Sequence, residues 1–139
     1  MSGSVLNNII ALKLRCSAKE NSIMSKFNLT CSEYKALLSL EKDETLPCKV
    51  LAAKMELSES RGNRVVNRLI KKGCFKVSYD KNDKRVVYIS LNAKGQKVKA
   101  KIDNMLMECE KEIKSKLSSS EIDYFITILN KVNRVLVKN

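Results

Sequence analysis

The chain has no histidine and no tryptophan, and among its 139 residues only one is proline and four are glycine. Without histidine it lacks the commonest general base near neutral pH and the commonest nitrogen ligand for zinc. Its five cysteines stand apart at 16, 31, 48, 74 and 109, with no Cys-x-x-Cys pair. Neither a structural zinc site nor a disulfide framework fits so odd and scattered a set, and most of these thiols are expected to be small buried hydrophobes. There is no glycine-rich phosphate loop, no cluster of metal ligands and no acid–base pair at a readable spacing. Enzymatic chemistry is therefore excluded, and no metal or cofactor is expected. The scarcity of glycine and proline leaves room for few tight turns, which points to a mainly α-helical fold. Missing too are a signal-peptide pattern and any apolar run near the roughly 18 residues of a membrane span, so a cytoplasmic chain with no membrane association is expected.

What is present is a strongly uneven charge. Apolar residues make up 44% and charged residues 30%, ordinary for one folded domain of this length, and aromatics only 5%, so Leu, Ile and Val must do the packing. The formal net charge is +12. Residues 1–48 hold six Lys and Arg against five Asp and Glu, and residues 102–139 hold six against six. Residues 49–101 hold fifteen against four, a net of +11. Positive charge concentrated in this way suits a polyanion, because each phosphate it neutralises releases a counterion.

Periodicity divides the chain into elements. Leu6, Ile9, Ile10, Leu12, Cys16, Ile23 and Met24 suggest a first helix over residues 5–26. Thr30-Cys31-Ser32-Glu33 reads as a capping box for a second, with Tyr34, Leu37, Leu38 and Leu40 on one face. Pro47 suits a first helical turn, so a third helix is predicted from Pro47 to Met55. Ser58 is the N-cap of a fourth, which buries Val65, Val66, Leu69 and Ile70 and stops at Gly73. Its open face shows Ser60, Arg61, Asn63, Arg64, Asn67 and Arg68. Arg and Asn are the side chains suited to bidentate contacts with guanine and adenine edges in the major groove. Two short helices joined by a turn, the second basic on its open face, form a helix-turn-helix pattern. After Gly73 the period changes to two: Phe75, Val77 and Tyr79, then Val87, Ile89 and Leu91, flank a polar turn at 80–85, a β-hairpin with a charged tip. Asn92 caps a fifth helix whose stripe is Val98, Ile102, Met105, Leu106, Cys109, Ile113 and Leu117. Ser118 and Glu121 form a second capping box, opening a sixth helix with Ile122, Phe125, Ile126, Leu129, Val132 and Leu136 along one side.

From Leu46 to Gly95 this order resembles the MarR family of transcription regulators. Leu51-Ala52 and Leu57-Ser58 match its third helix and turn, and Asn67-Arg68-Leu69 with Lys72-Gly73 match its recognition helix and stop. Asp80-x-x-Asp83-x-Arg85 resembles its wing tip, and Leu91-Asn92-x-Lys94-Gly95 the start of its dimerisation helix. The resemblance implies a winged helix-turn-helix at residues 30–92, a helical dimerisation region from residues 1–29 and 93–139, about six helices in all, and a homodimer on a pseudo-palindromic double-stranded DNA site. It makes Ser60, Arg61, Asn63 and Arg64 the base readers, with Asn67 beside them. Lys49, Ser58 and Arg68 become phosphate contacts, and Arg85, oriented by Asp83 and flanked by Lys84, enters the minor groove.

Three features depart from the family pattern. Glu56 stands where glycine is usual in the turn, so either it adopts an unfavourable backbone or the turn is rebuilt. Gly62 lies inside the recognition helix where an apolar residue is usual, at a cost of roughly 1 kcal/mol relative to alanine. The stretch before Thr30 is short. Some family members sense oxidants through a first-helix cysteine. Cys16 lies on that helix, and Cys31 and Cys48 fall near helix N-termini, where the macrodipole lowers a thiol's pKa; these three are the candidate redox thiols. A pocket for a small-molecule effector is implied by the resemblance alone, with Tyr34, Met24 and Met105 as lining candidates or plain core. The expected function is a sequence-specific transcription regulator, a repressor released by a ligand or by thiol oxidation; the alternative is a non-specific architectural DNA-binding protein.

Overall fold

A computed structural model describes residues 3–137. Its elements are α1 (Val5–Lys26), α2 (Cys31–Leu38), β1 (Leu46–Pro47), α3 (Cys48–Lys54), α4 (Glu59–Lys71), β2 (Phe75–Tyr79), β3 (Val87–Leu91), α5 (Ala93–Lys116) and α6 (Ser119–Val137). The chain divides into two compact units, Met1–Ile102 and Asp103–Asn139.

The first unit is built around Tyr34, Leu37, Leu51, Val65, Leu69, Phe75, Ile89, Leu91 and Ile102, all buried. Of the predicted second-helix face, Leu38 is only half-buried and Ala36 takes its place in the core. The sheet has the order β1-β3-β2 and is antiparallel throughout. The hairpin register pairs Phe75 with Leu91 and Val77 with Ile89, as the alternation of residues requires. Its third strand is a departure from expectation: Leu46 pairs with Ile89 and Pro47 with Tyr88. Pro47 is therefore an extended residue (φ −56°, ψ 141°) at the head of α3, and the helix proper begins at Cys48. A two-residue strand has no period to read, which is why Pro47 looked like a first helical residue.

The helix ends follow the chemistry of their caps. Thr30 Oγ1 accepts the Glu33 N–H at 3.2 Å while Glu33 Oε1 accepts the Thr30 N–H at 2.9 Å, and Ser118 and Glu121 repeat the arrangement at 3.2 and 2.8 Å. Asn92 Oδ1 accepts the Gly95 N–H at 2.8 Å, while its Nδ2 donates to the Gly73 carbonyl at 2.6 Å, tying the start of α5 to the end of α4. At that end Gly73 takes φ +79°, and the Cys74 and Gly73 N–H groups return to the Leu69 and Ile70 carbonyls, a Schellman motif.

The same motif closes α3, with the Leu57 and Glu56 N–H groups on the Ala52 and Ala53 carbonyls. Here the left-handed position is filled by Glu56 at φ +58°, so the turn is kept and the side chain bears the strain. Glu56→Gly is accordingly expected to raise stability by roughly 1 kcal/mol, read as a higher urea midpoint at unchanged slope. An unchanged or lower midpoint would show that no strain is stored there.

Gly62 also has a reason. A Cβ built on it would lie 2.4 Å from Ala52 Cβ, so α3 and α4 touch at a pair of small residues where nothing larger fits. Helix propensity alone makes Gly62 a cost; the tertiary structure makes it a packing requirement.

The second unit holds the rest of α5 and all of α6. None of the described residues of α6 is buried. Phe125, Ile126, Leu129 and Leu136 of the predicted stripe are exposed, and Tyr124 is 71% exposed. On α1 Ile23 alone is buried, while Val5, Leu6, Ile10, Leu12 and Leu14 are exposed. No helix is long and apolar enough to cross a membrane, among the described residues.

Candidate nucleic-acid interface

The candidate recognition face is the N-terminal half of α4. The Ser58 Oγ caps the helix by accepting the Arg61 N–H at 3.3 Å and lies 3.4 Å from the Ser60 hydroxyl. Val65, Val66 and Leu69 anchor one side in the core, which leaves Ser60, Arg61, Asn63, Arg64 and Asn67 exposed on the other. Among the described residues neither Arg61 nor Arg64 is drawn into an ion pair. Lys49, exposed on α3, lies 3.8 Å from Glu59; both ends are well solvated, so the pair is weak and open to exchange for a phosphate.

The wing is shaped by Asp80. Its Oδ2 accepts the N–H groups of Asn82 and Asp83 at 3.1 and 3.0 Å, and its Oδ1 accepts the Tyr88 hydroxyl at 3.2 Å. That hydrogen bond, and the negative charge behind it, raises the Tyr88 pKa. Two residues on, Asp83 grips Arg85 with both oxygens, from Nε at 3.1 Å and Nη2 at 3.3 Å, and accepts the Arg85 N–H at 3.0 Å. These bonds, the side-chain ones foremost, hold the Asp83 carboxyl below its usual range. The fork aims a guanidinium that is 92% exposed, with Lys84 exposed beside it. The wing and helix meet in a recess of about 380 Å³ lined by Pro47, Cys48, Lys49, Glu59, Asn63 and Arg85. Lys49, Asn63 and Arg85, far apart in sequence, are thus brought to one place.

Arg68, an expected phosphate contact, is half-exposed, and its Nε lies 3.4 Å from Oε2 of Glu33, which is buried at 1% side-chain exposure. Cys48, expected to have a lowered pKa at a helix N-terminus, has a raised one, through burial and then the nearby negative charge of Glu59. Its thiol donates to Asn63 Oδ1 at 2.9 Å, which links it to the exposed face of α4. Cys16 and Cys31 are exposed, whereas Cys74 is buried and its pKa is raised by that burial.

The structure also divides the positive charge. Of the fifteen cations at 49–101, Arg68 and Lys72 face Glu33, and Lys54 lies 3.8 Å from Glu44. Lys94 donates to the Lys72 carbonyl at 2.7 Å. Lys99, itself buried, donates to the Leu38 carbonyl at 3.4 Å and to the Leu40 carbonyl, and so closes the C-terminal end of α2. These five have partners within the protein, which charge counting alone does not reveal.

A short scaffold helix, a basic helix seated on it and a three-stranded wing beside them make a winged helix-turn-helix fold, the fold that MarR from E. coli also has. Within that class the chain belongs to the family of the transcriptional regulator SarA/Rot, which it matches over residues 18–102. It is 28% identical to the HTH-type transcriptional regulator SarZ of Staphylococcus saprophyticus over 121 residues, covering 87% of this chain and 82% of that one. Its fold is that of MepR from S. aureus in the crystal structure of a MepR–DNA complex (TM-score 0.76, 18% identity, 96% and 99% of the two chains). Wild-type MarR from E. coli is similarly close (TM-score 0.73, 20% identity, 95% and 98%). The family is one of transcriptional regulators.

Proposed function

We propose that the chain acts as a homodimeric, sequence-specific repressor. Two recognition helices would enter successive major grooves of a pseudo-palindromic operator, about 34–36 Å apart, with each Arg85 in a flanking minor groove. The observation that carries this reading is that Arg61 and Arg64, outside any ion pair among the described residues, share one exposed surface with Asn63 and Asn67. Base-specific contact needs side chains of this kind unengaged by the protein. Lys49, Ser58 and Lys84 supply phosphate contacts, which position the helix without reading sequence.

Dimerisation falls to residues 1–29 and 93–139. The exposed Leu6, Ile10 and Leu14 of α1, and Phe125, Ile126 and Leu129 of α6, support it. Single exposed apolar residues are ordinary, but successive turns of two helices showing them call for a partner surface. At an operator that overlaps a promoter, occupancy by such a dimer would exclude polymerase, hence repression. Release by a small molecule is supported by a recess of about 310 Å³ in the first unit, lined by Glu20, Tyr34, Lys35, Leu38 and Met55. Release by oxidation rests with the exposed Cys16 and Cys31 rather than Cys48.

Selection of bound sequences from a random duplex pool, alongside sedimentation of the free protein, tests this reading. A two-fold symmetric consensus, preferred about 10³-fold or more over random duplex, and a sedimenting mass of two chains are expected. Binding without enrichment would instead describe a protein that coats DNA, and a monomer would remove the palindrome.

A further inference from the structure

Arg61, Arg64, Arg68 and Lys72 follow one another at spacings of three, four and four, so they form one stripe along α4 and its C-cap. The two halves of the stripe have different surroundings. Arg61 and Arg64 are exposed and outside any ion pair among the described residues, whereas Arg68 and Lys72 converge on one buried carboxylate. Glu33 Oε1 accepts Lys72 Nζ at 2.7 Å and Oε2 lies 3.4 Å from Arg68 Nε. Lys72 also donates to the Asn28 carbonyl at 2.6 Å, where Asn28 turns the chain between α1 and α2 at φ +54°. One carboxylate thereby joins α2, the α1–α2 turn and the recognition helix.

Helix capping does not account for this. Glu121 makes the same capping box at the start of α6 while exposed and without a basic partner among the described residues. A capping glutamate therefore needs neither burial nor cations. Burial alone would raise the Glu33 pKa; the hydrogen bonds from Lys72 and the Thr30 N–H, and then the charges of Lys72 and Arg68, outweigh it and keep the group ionised.

We infer that Glu33 is a positioning residue for DNA recognition: by holding Lys72 through a hydrogen bond and drawing Arg68 through its charge it sets the rotation of α4 about its axis, and so the direction in which Arg61 and Arg64 leave the helix. The inference rests on the DNA-reading role proposed above. Arg68 then acts through Glu33 and not on phosphate.

Glu33→Gln in the full chain keeps the shape and the acceptor for the Thr30 N–H, but it is neutral, and an amide donor then faces Arg68. The test measures affinity for a duplex recovered by selection with the wild-type protein, over a series of salt concentrations, with folding followed by circular dichroism. Glu33→Gln is expected to be folded at the assay temperature and to bind that duplex about tenfold more weakly, with the slope of log Kd against log salt unchanged. Arg68→Met should weaken binding comparably and add little in the Glu33→Gln background. Wild-type affinity in Glu33→Gln, even with a lower thermal midpoint, would reduce Glu33 to a helix cap and overturn the inference. So would a salt slope in Arg68→Met smaller by about 0.9, the signature of one lost phosphate contact. Arg68→Met changes a half-exposed side chain, so it decides the matter even if Glu33→Gln does not fold. Failure of the wild-type protein to select any sequence is a separate result that removes the DNA-reading role itself.

Discussion

Gly95→Ala and Gly62→Ala are each expected to destabilise the protein, although both glycines stand in helices, where alanine is ordinarily the better residue by about 1 kcal/mol. The reversal comes from what lies opposite. A Cβ on Gly95 would meet the Cys74 carbonyl oxygen at 2.0 Å, and that carbonyl is held by the Asn92 N–H at 3.0 Å. Backbone pinned in this way cannot retreat without undoing the junction of α4, the wing and α5. The loss should reach the upper end of the roughly 1–3 kcal/mol typical of overpacking, or exceed it. Gly62→Ala meets the Ala52 methyl at 2.4 Å and its Cα less closely, at 3.2 Å, so most of the clash lies between side chains. It should therefore be relieved in part by adding Ala52→Gly, whereas no side-chain change rescues Gly95→Ala. Thermal unfolding of the three variants checks both claims, and a midpoint at or above wild type for either single alanine would contradict the close approach.

Arg64→Ala is expected to remove sequence discrimination at one base position while leaving the fold intact. Its guanidinium is exposed, so no packing is lost. A bidentate contact to a base is worth on the order of 1–3 kcal/mol, or roughly 5- to 150-fold against the wrong base. Arg61→Ala should act in the same way at a neighbouring position. Lys49→Ala and Lys84→Ala should behave differently, weakening all duplexes alike and lowering the salt slope by about 0.9 each. Selection repeated with each variant separates the two kinds of contact. An unchanged consensus for Arg64→Ala would remove it from the base readers.

Much of the fold was legible because its signals are local. Thr30 and Glu33, Ser118 and Glu121, and Asn92 lie within three residues of the groups they cap, and alternation from Phe75 to Leu91 sets the hairpin register. The strand at Leu46–Pro47 was not legible, because it depends on pairing with residues more than forty positions away. The wing pair of Asp83 and Arg85 could be read for the same reason that caps can: its partners are two residues apart. The partner of Arg68 could not, because Glu33 is on a different helix.

By itself, the sequence determined which segment is basic, which helix turns an Arg- and Asn-rich face outward, and where the wing bends. Composition and short-range spacing are enough for such statements. Tertiary structure alone decided what that charge does. It assigns Arg68 and Lys72 to a buried carboxylate and Lys99 to the end of a helix, and it leaves Arg61 and Arg64 outside any ion pair among the described residues. It also turned Gly62 from a weakness of the recognition helix into a condition of its packing. The physical reason is common to both cases. A charge or a missing side chain has no fixed meaning until the atoms beside it are known, and those atoms come from distant parts of the chain.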